Sequence, residues 1–154
     1  MLEKIQDLLC NLDNLVEVAN SCDRAYAEGT GNPSWYAPFG AENPQKVAQN
    51  LAGLQAVISG IGLINFNIRN QDESKVMDVL KDIAGDNLST VEKEIMLRLA
   101  NCSWGAGQAF RTDKGPLGRA GNMNCFDLLD QTEVAKDYHQ IKAASTWLLK
   151  KLLS

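Results

Sequence analysis

Between Val47 and Ile68 the chain carries no charged residue over 22 consecutive positions. A stretch of that length has two physical outcomes. It crosses a bilayer, for which about 20 apolar residues suffice, or it occupies the middle of a folded domain. Gln49, Asn50, Gln55, Asn65 and Asn67 decide between them, because each amide is costly in hydrocarbon. The segment is therefore read as a central helix of a bundle, buried on most sides. Val47, Leu51, Leu54, Ile58 and Ile61 form one stripe at helical spacing. Ala48, Ala52, Ala56 and Gly60 form a second stripe of small residues, where a neighbouring helix can approach closely. The amides then need buried partners or positions at helix ends. Asn43-Pro44 supplies the start, with asparagine as N-cap and proline in the first turn.

The partners for such a helix are legible on either side of it. Met1, Ile5, Leu8, Leu12, Leu15, Ala19, Cys22 and Tyr26 follow alternating steps of four and three, which predicts one amphipathic helix ending near Glu28. Asp72 suits the N-cap of a short third helix, with Val76, Val79, Leu80 and Ile83 inward and Gly85 stopping it. Ser89-x-x-Glu92 is a capping box that opens a fourth helix. Ile95, Leu99, Cys102, Ala106 and Phe110 continue it through Trp104 and two glycines. Gly107 shares a face there with Met96, Ala100 and Ser103, and close approach of another helix is the reason to tolerate it. Asp130-x-x-Glu133 opens the last helix, which turns Val134, Tyr138, Ile141, Ser145, Leu148 and Leu152 inward. No strand-like alternation competes. The fold expected is all-α: one compact domain over residues 1–154, a bundle of four long helices and one short one, with two long loops.

At 154 residues, 45% hydrophobic and 22% charged, the chain is sized and composed for a single self-sufficient core. Its net charge of −4 argues against general nucleic-acid binding. Charges at Glu3, Lys4, Asp7 and Asp13 break up the first apolar residues, so no secretory leader is read there and a cytoplasmic location is expected. The four cysteines contain no CxxC pair. On one continuous helix Cys10 and Cys22 would stand about 18 Å apart, too far for a disulfide or a shared zinc ion. Reduced, packed thiols are expected, and neither a metal nor a cofactor is.

No catalytic constellation stands out. His139 is the single histidine, flanked at three residues' distance by Lys136 and Lys142, with no carboxylate three or four residues away on either side to orient it. It is read as a surface residue. Asp127, Asp130, Glu133 and Asp137 cluster where the last helix begins and are read as capping and dipole groups rather than metal ligands. The spacing of Gly115, Gly118 and Gly121 matches no phosphate-binding loop. Residues 1–28 hold six acids against two bases, read as a solvated face, with a basic docking partner as the sharper alternative.

The resulting expectation is a non-enzymatic helical protein that works through protein–protein interaction or self-association, the first helix's stripe offering a dimer seam. The alternative is a small-molecule binder, or an enzyme, with an anionic ligand held between the aromatic loop 29–43 and the basic loop 111–122. Trp35, Tyr36 and Trp104 would wall that site, and Arg111, Lys114 and Arg119 would supply positive charge. The aromatic loop is expected to fold back over the bundle, because a loop rarely leaves Trp-Tyr-x-x-Phe in water.

Overall fold

The computed structural model describes residues 2–64, 73–108 and 131–154, and among these every regular element is helical. Helix α1 spans Leu2–Leu9 and α2 spans Leu12–Gly29; a single 3-10 turn follows at Pro33–Trp35. Helices α3 (Pro44–Gln49), α4 (Ala52–Ile64), α5 (Glu73–Ala84) and α6 (Thr90–Gln108) come next, then α7 (Gln131–Ala135) and α8 (Tyr138–Leu153). The class is the one expected. The number of segments is larger, because three of the expected long helices are broken.

Each break has a local cause. Between α1 and α2, Asn11 takes extended backbone and its Oδ1 accepts from Asn14 N at 3.1 Å, capping α2. Asn14 Nδ2 donates back to the Leu8 carbonyl at 3.0 Å, so the end of α1 is satisfied too. Between α3 and α4, Asn50 Nδ2 donates to its own helix at the Lys46 carbonyl, 3.0 Å away. Its Oδ1 accepts from Gln140 on α8 at 3.2 Å. Asn50 thus meets both conditions set for the amides, a helix end and a buried partner. Between α7 and α8, Asp137 N bonds to the Val134 carbonyl and His139 N to the Lys136 carbonyl, tight three-residue steps that interrupt the α-helical ladder.

Helix α8 is the hub. It packs on α2, α5 and α4, and α4 packs in turn on α6. The described part of the charge-free segment is buried on most sides, as expected: Gln55, Ser59 and Gly62, at helical spacing, leave only one side of α4 exposed. Of the predicted small stripe, Ala52, Ala56 and Gly60 are buried and Ala48, on α3, is exposed; Gly53, outside that stripe, makes a further close approach. A Cβ on Gly53 would lie 2.9 Å from the backbone carbonyl carbon of Gln140, so only glycine lets α4 rest on α8. Gly60 receives the Met96 sulfur of α6 in the same way. The core joins Val18 and Cys22 of α2, Val57 of α4, Leu80 and Ile83 of α5, Met96 of α6, and Ile141, Ala144 and Leu148 of α8. Two bonds from α8 fix α5: Ser145 Oγ donates to the Leu80 carbonyl at 2.7 Å and the Tyr138 hydroxyl to the Ile83 carbonyl at 3.1 Å.

Several local readings hold. The residues expected inward on α5, α7 and α8 are buried or partly buried. The capping box is formed, with Glu92 N donating to Ser89 Oγ at 3.1 Å and Ser89 N to Glu92 Oε1 at 3.0 Å. On α6 the buried face is rotated from the expected one: Met96 and Ala100 are buried, Ile95 and Leu99 only partly, and Cys102 is exposed. After α5, the left-handed position falls on Asp86 (φ 56°) rather than Gly85, with Asn87 N bonded to the Asp82 carbonyl at 2.8 Å. Asp72, Cys125, Phe110, the carboxylates Asp127 and Asp130, and the surroundings of Gly107 and Glu133 lie outside the described residues and side chains.

Candidate interaction site

The aromatic loop is built from the end of α2. Gly31 adopts φ 80°, and its amide and that of Asn32 bond to the Glu28 and Ala27 carbonyls, closing the helix in a Schellman turn. Thr30 Oγ1 adds a bond to the Tyr26 carbonyl at 2.7 Å. Asn32 then leads into the 3-10 turn: Pro33 presets its first position and Trp35 N donates to the Asn32 carbonyl at 3.0 Å.

Asn20, on the flank of α2, holds the segment after the turn. Its Nδ2 donates to the Phe39 carbonyl at 2.8 Å and to the Val16 carbonyl at 2.9 Å. Its Oδ1 accepts from the Tyr36 hydroxyl at 2.9 Å and from Phe39 N at 3.1 Å. An asparagine side chain has two donor hydrogens and two acceptor lone pairs, and all are used. Phe39 is also covered by the Lys46 ammonium, 5.4 Å above its ring, and Lys46 lies 3.7 Å from Asp23 of α2. The loop is thus fastened to α2 on both sides of Trp35.

Trp35 itself is not folded back. It is 63% exposed, against the expectation that the loop would cover its aromatics, while Tyr36 and Phe39 are half-buried. Tyr36, in extended backbone, turns its hydroxyl to Asn20, while Trp35, the last residue of the 3-10 turn, is left in solvent. The Trp104 indole stands half-buried on α6, whose principal neighbour is α4. Arg111, Lys114 and Arg119 lie outside the described residues, as does the whole basic loop 111–122.

Beneath the loop runs a polar seam between α2, α3 and α8 that the sequence did not single out. The Asp23 carboxylate is mostly buried and its Oδ2 accepts no hydrogen bond; at 3.7 Å the Lys46 ammonium is an ion partner only. Burial raises its pKa above the ordinary aspartate value, and Lys46 offsets only part of this. The adjacent Cys22 thiol donates to the Gln140 carbonyl at 3.5 Å, and burial, with Asp23 beside it, pushes its pKa to about 12. Such a thiol is packing, not a nucleophile. His139 is half-buried rather than free at the surface, its ring seated on Gly29 at the end of α2.

Some of the acids on the first helices are engaged within the chain. Glu17 accepts from the Trp147 indole at 3.0 Å and pairs with Lys151 at 3.3 Å, and both hold its pKa down, the indole bond most. Arg24 binds Glu28 at 2.8 Å. Lys151 opposes one acid from outside residues 1–28, whereas Arg24 is already one of that segment's two bases and Lys4 pairs with Glu73 on α5. Among the described residues no group of three metal-ligating side chains converges, and no helix is long and apolar enough to cross a membrane.

Asn20 and the seam were missed because their partners are distant in sequence. The available signal was an amide one helical turn from Val16 and Asp23, beside the buried Ala19. The chain matches no protein-family model, no curated protein and no solved structure.

Proposed function

We propose that the chain is a non-catalytic interaction module that presents Trp35 to a protein partner. The observation that carries this reading is the mounting of the indole: exposed, on a short turn, with Asn32 before it and Tyr36 and Phe39 after it bonded to α2. Leaving a tryptophan in water forgoes on the order of 2 kcal/mol of burial. Fixing its backbone in advance lowers the ordering cost a partner would otherwise bear. Exposed, pre-positioned tryptophans are the side chains around which protein interfaces concentrate their energy.

The test uses wild-type, Trp35→Ala and Asn20→Ala proteins as immobilised baits in native lysate, with captured proteins quantified by isotope-coded mass spectrometry. Trp35→Ala should lose a defined partner by tenfold or more while its melting curve stays unchanged. Asn20→Ala should weaken the same partner less. Identical captures by wild-type and Trp35→Ala would refute the proposal.

A further inference from the structure

The break between α1 and α2 conflicts with the pattern around it. The apolar steps from Met1 to Tyr26 run through residues 9–12 without a change of phase, and residues 2–28 contain neither glycine nor proline. In the bent form this pattern is spoiled at one place: Leu12, which belongs to the stripe, is 57% exposed. The bend is made by side chains alone, Asn11 capping α2 and Asn14 capping α1. The contacts that hold α1 down are limited. Ile5 is its buried residue, Leu8 and Leu9 are partly buried, and Lys4 reaches Glu73 of α5 at 3.7 Å between exposed groups.

We infer that α1 is an exchangeable arm, and that the surface it covers on α2 and α8 accepts the α1 of a second copy of this chain. Straightening residues 9–12 makes Leu2–Gly29 one helix. It returns Leu12 to the stripe, adds backbone hydrogen bonds across the former break and lifts Ile5 off α8. The vacated surface already fits one occupant, α1, and the second copy's arm has identical side chains. Reciprocal exchange therefore rebuilds every contact of the closed monomer and changes only the hinge. Arm exchange uses a different surface from Trp35 and stands or falls separately.

Leu12→Pro separates the two forms. Proline suits the first position of α2, where Asn11 before it already has the extended backbone proline demands (φ −92°, ψ 119°). In a continuous helix the same proline is disruptive. Asn11→Ala with Asn14→Ala acts the other way, removing both caps. Each full-length protein would be refolded from denaturant at high concentration and its mass measured by light scattering, with Trp35→Ala as a control. Arm exchange predicts a species of doubled mass in wild-type, a larger share of it in the double variant, its loss in Leu12→Pro, and no change in Trp35→Ala. Only monomer in wild-type and in the double variant would overturn the inference, as would an undiminished dimer in Leu12→Pro. If the double variant fails to fold, the wild-type and Leu12→Pro pair decides alone.

Discussion

Two acids on α2 carry opposite signs of pH dependence. Glu17 is stabilised in its charged form by the Trp147 indole and by Lys151, so its folded pKa is depressed. It adds stability above the ordinary glutamate pKa of about 4.3 and loses it as pH falls through the folded value. Asp23 is the reverse. Desolvation raises its folded pKa, so its stabilising share is complete only below about pH 3.9 and is lost as pH rises through the folded value. Asp23→Asn should therefore melt higher than wild-type at neutral pH, with the gap closing in acid. Glu17→Gln should melt lower at neutral pH, and its gap should also close in acid. Calorimetry across pH 3–8 checks both, and a neutral-pH loss in Asp23→Asn would mean that Lys46 outweighs burial. The thiols give a second readout at this scale. Alkylation of the native protein should label Cys10 and Cys102, which are exposed, and spare Cys22. Labelling of Cys22 at the same rate would show that the α2–α8 seam opens readily.

Helix ends were readable where their causes are short-range. Ser89 and Glu92 meet across three residues, and Asn43 caps α3 through Lys46 N at 3.2 Å. Breaks were not readable, because Asn11 and Asn50 are equally compatible with a helix interior: Asn11 ends α1 through a local exchange of caps with Asn14, and Asn50 ends α3 with a partner from another segment. For Asn50 that segment is α8, 90 residues on, through Gln140. The rotated face of α6 has the same origin: α4 offers Gly60 to Met96, and this contact, not the residue pattern, sets the roll. Two glycines of α4 test how closely the helices pack. Gly53→Ala pushes a methyl against the Gln140 backbone, which cannot move aside, and should cost about 1–3 kcal/mol. Gly62→Ala meets nothing within 4 Å and should gain up to about 1 kcal/mol from helix propensity alone. Denaturant titration of the two variants should show opposite signs; equal effects would mean that α4 and α8 are not in close approach.

At the scale of the molecule, α2 and α8 run antiparallel, tied by Glu17 to Lys151 at one end and by Gly29 against His139 at the other. This pair supports both candidate surfaces, the arm α1 at one end and the Trp35 turn near the other. The helical class was legible because periodicity is a local property of the chain. The site was legible only in part: the sequence marked Trp35 and Tyr36 as residues to explain, but their division into one outward and one anchored side chain depends on Asn20, 16 residues from Tyr36. A role for Trp35 as a ready-made anchor requires that it be held rigidly before any partner arrives. Amide ¹⁵N relaxation of Ser34, Trp35, Tyr36, Ala37 and Phe39 measures this directly. The mount predicts order parameters near the rigid-backbone value of about 0.85, falling in Asn20→Ala, whereas wild-type values below about 0.6 would contradict it.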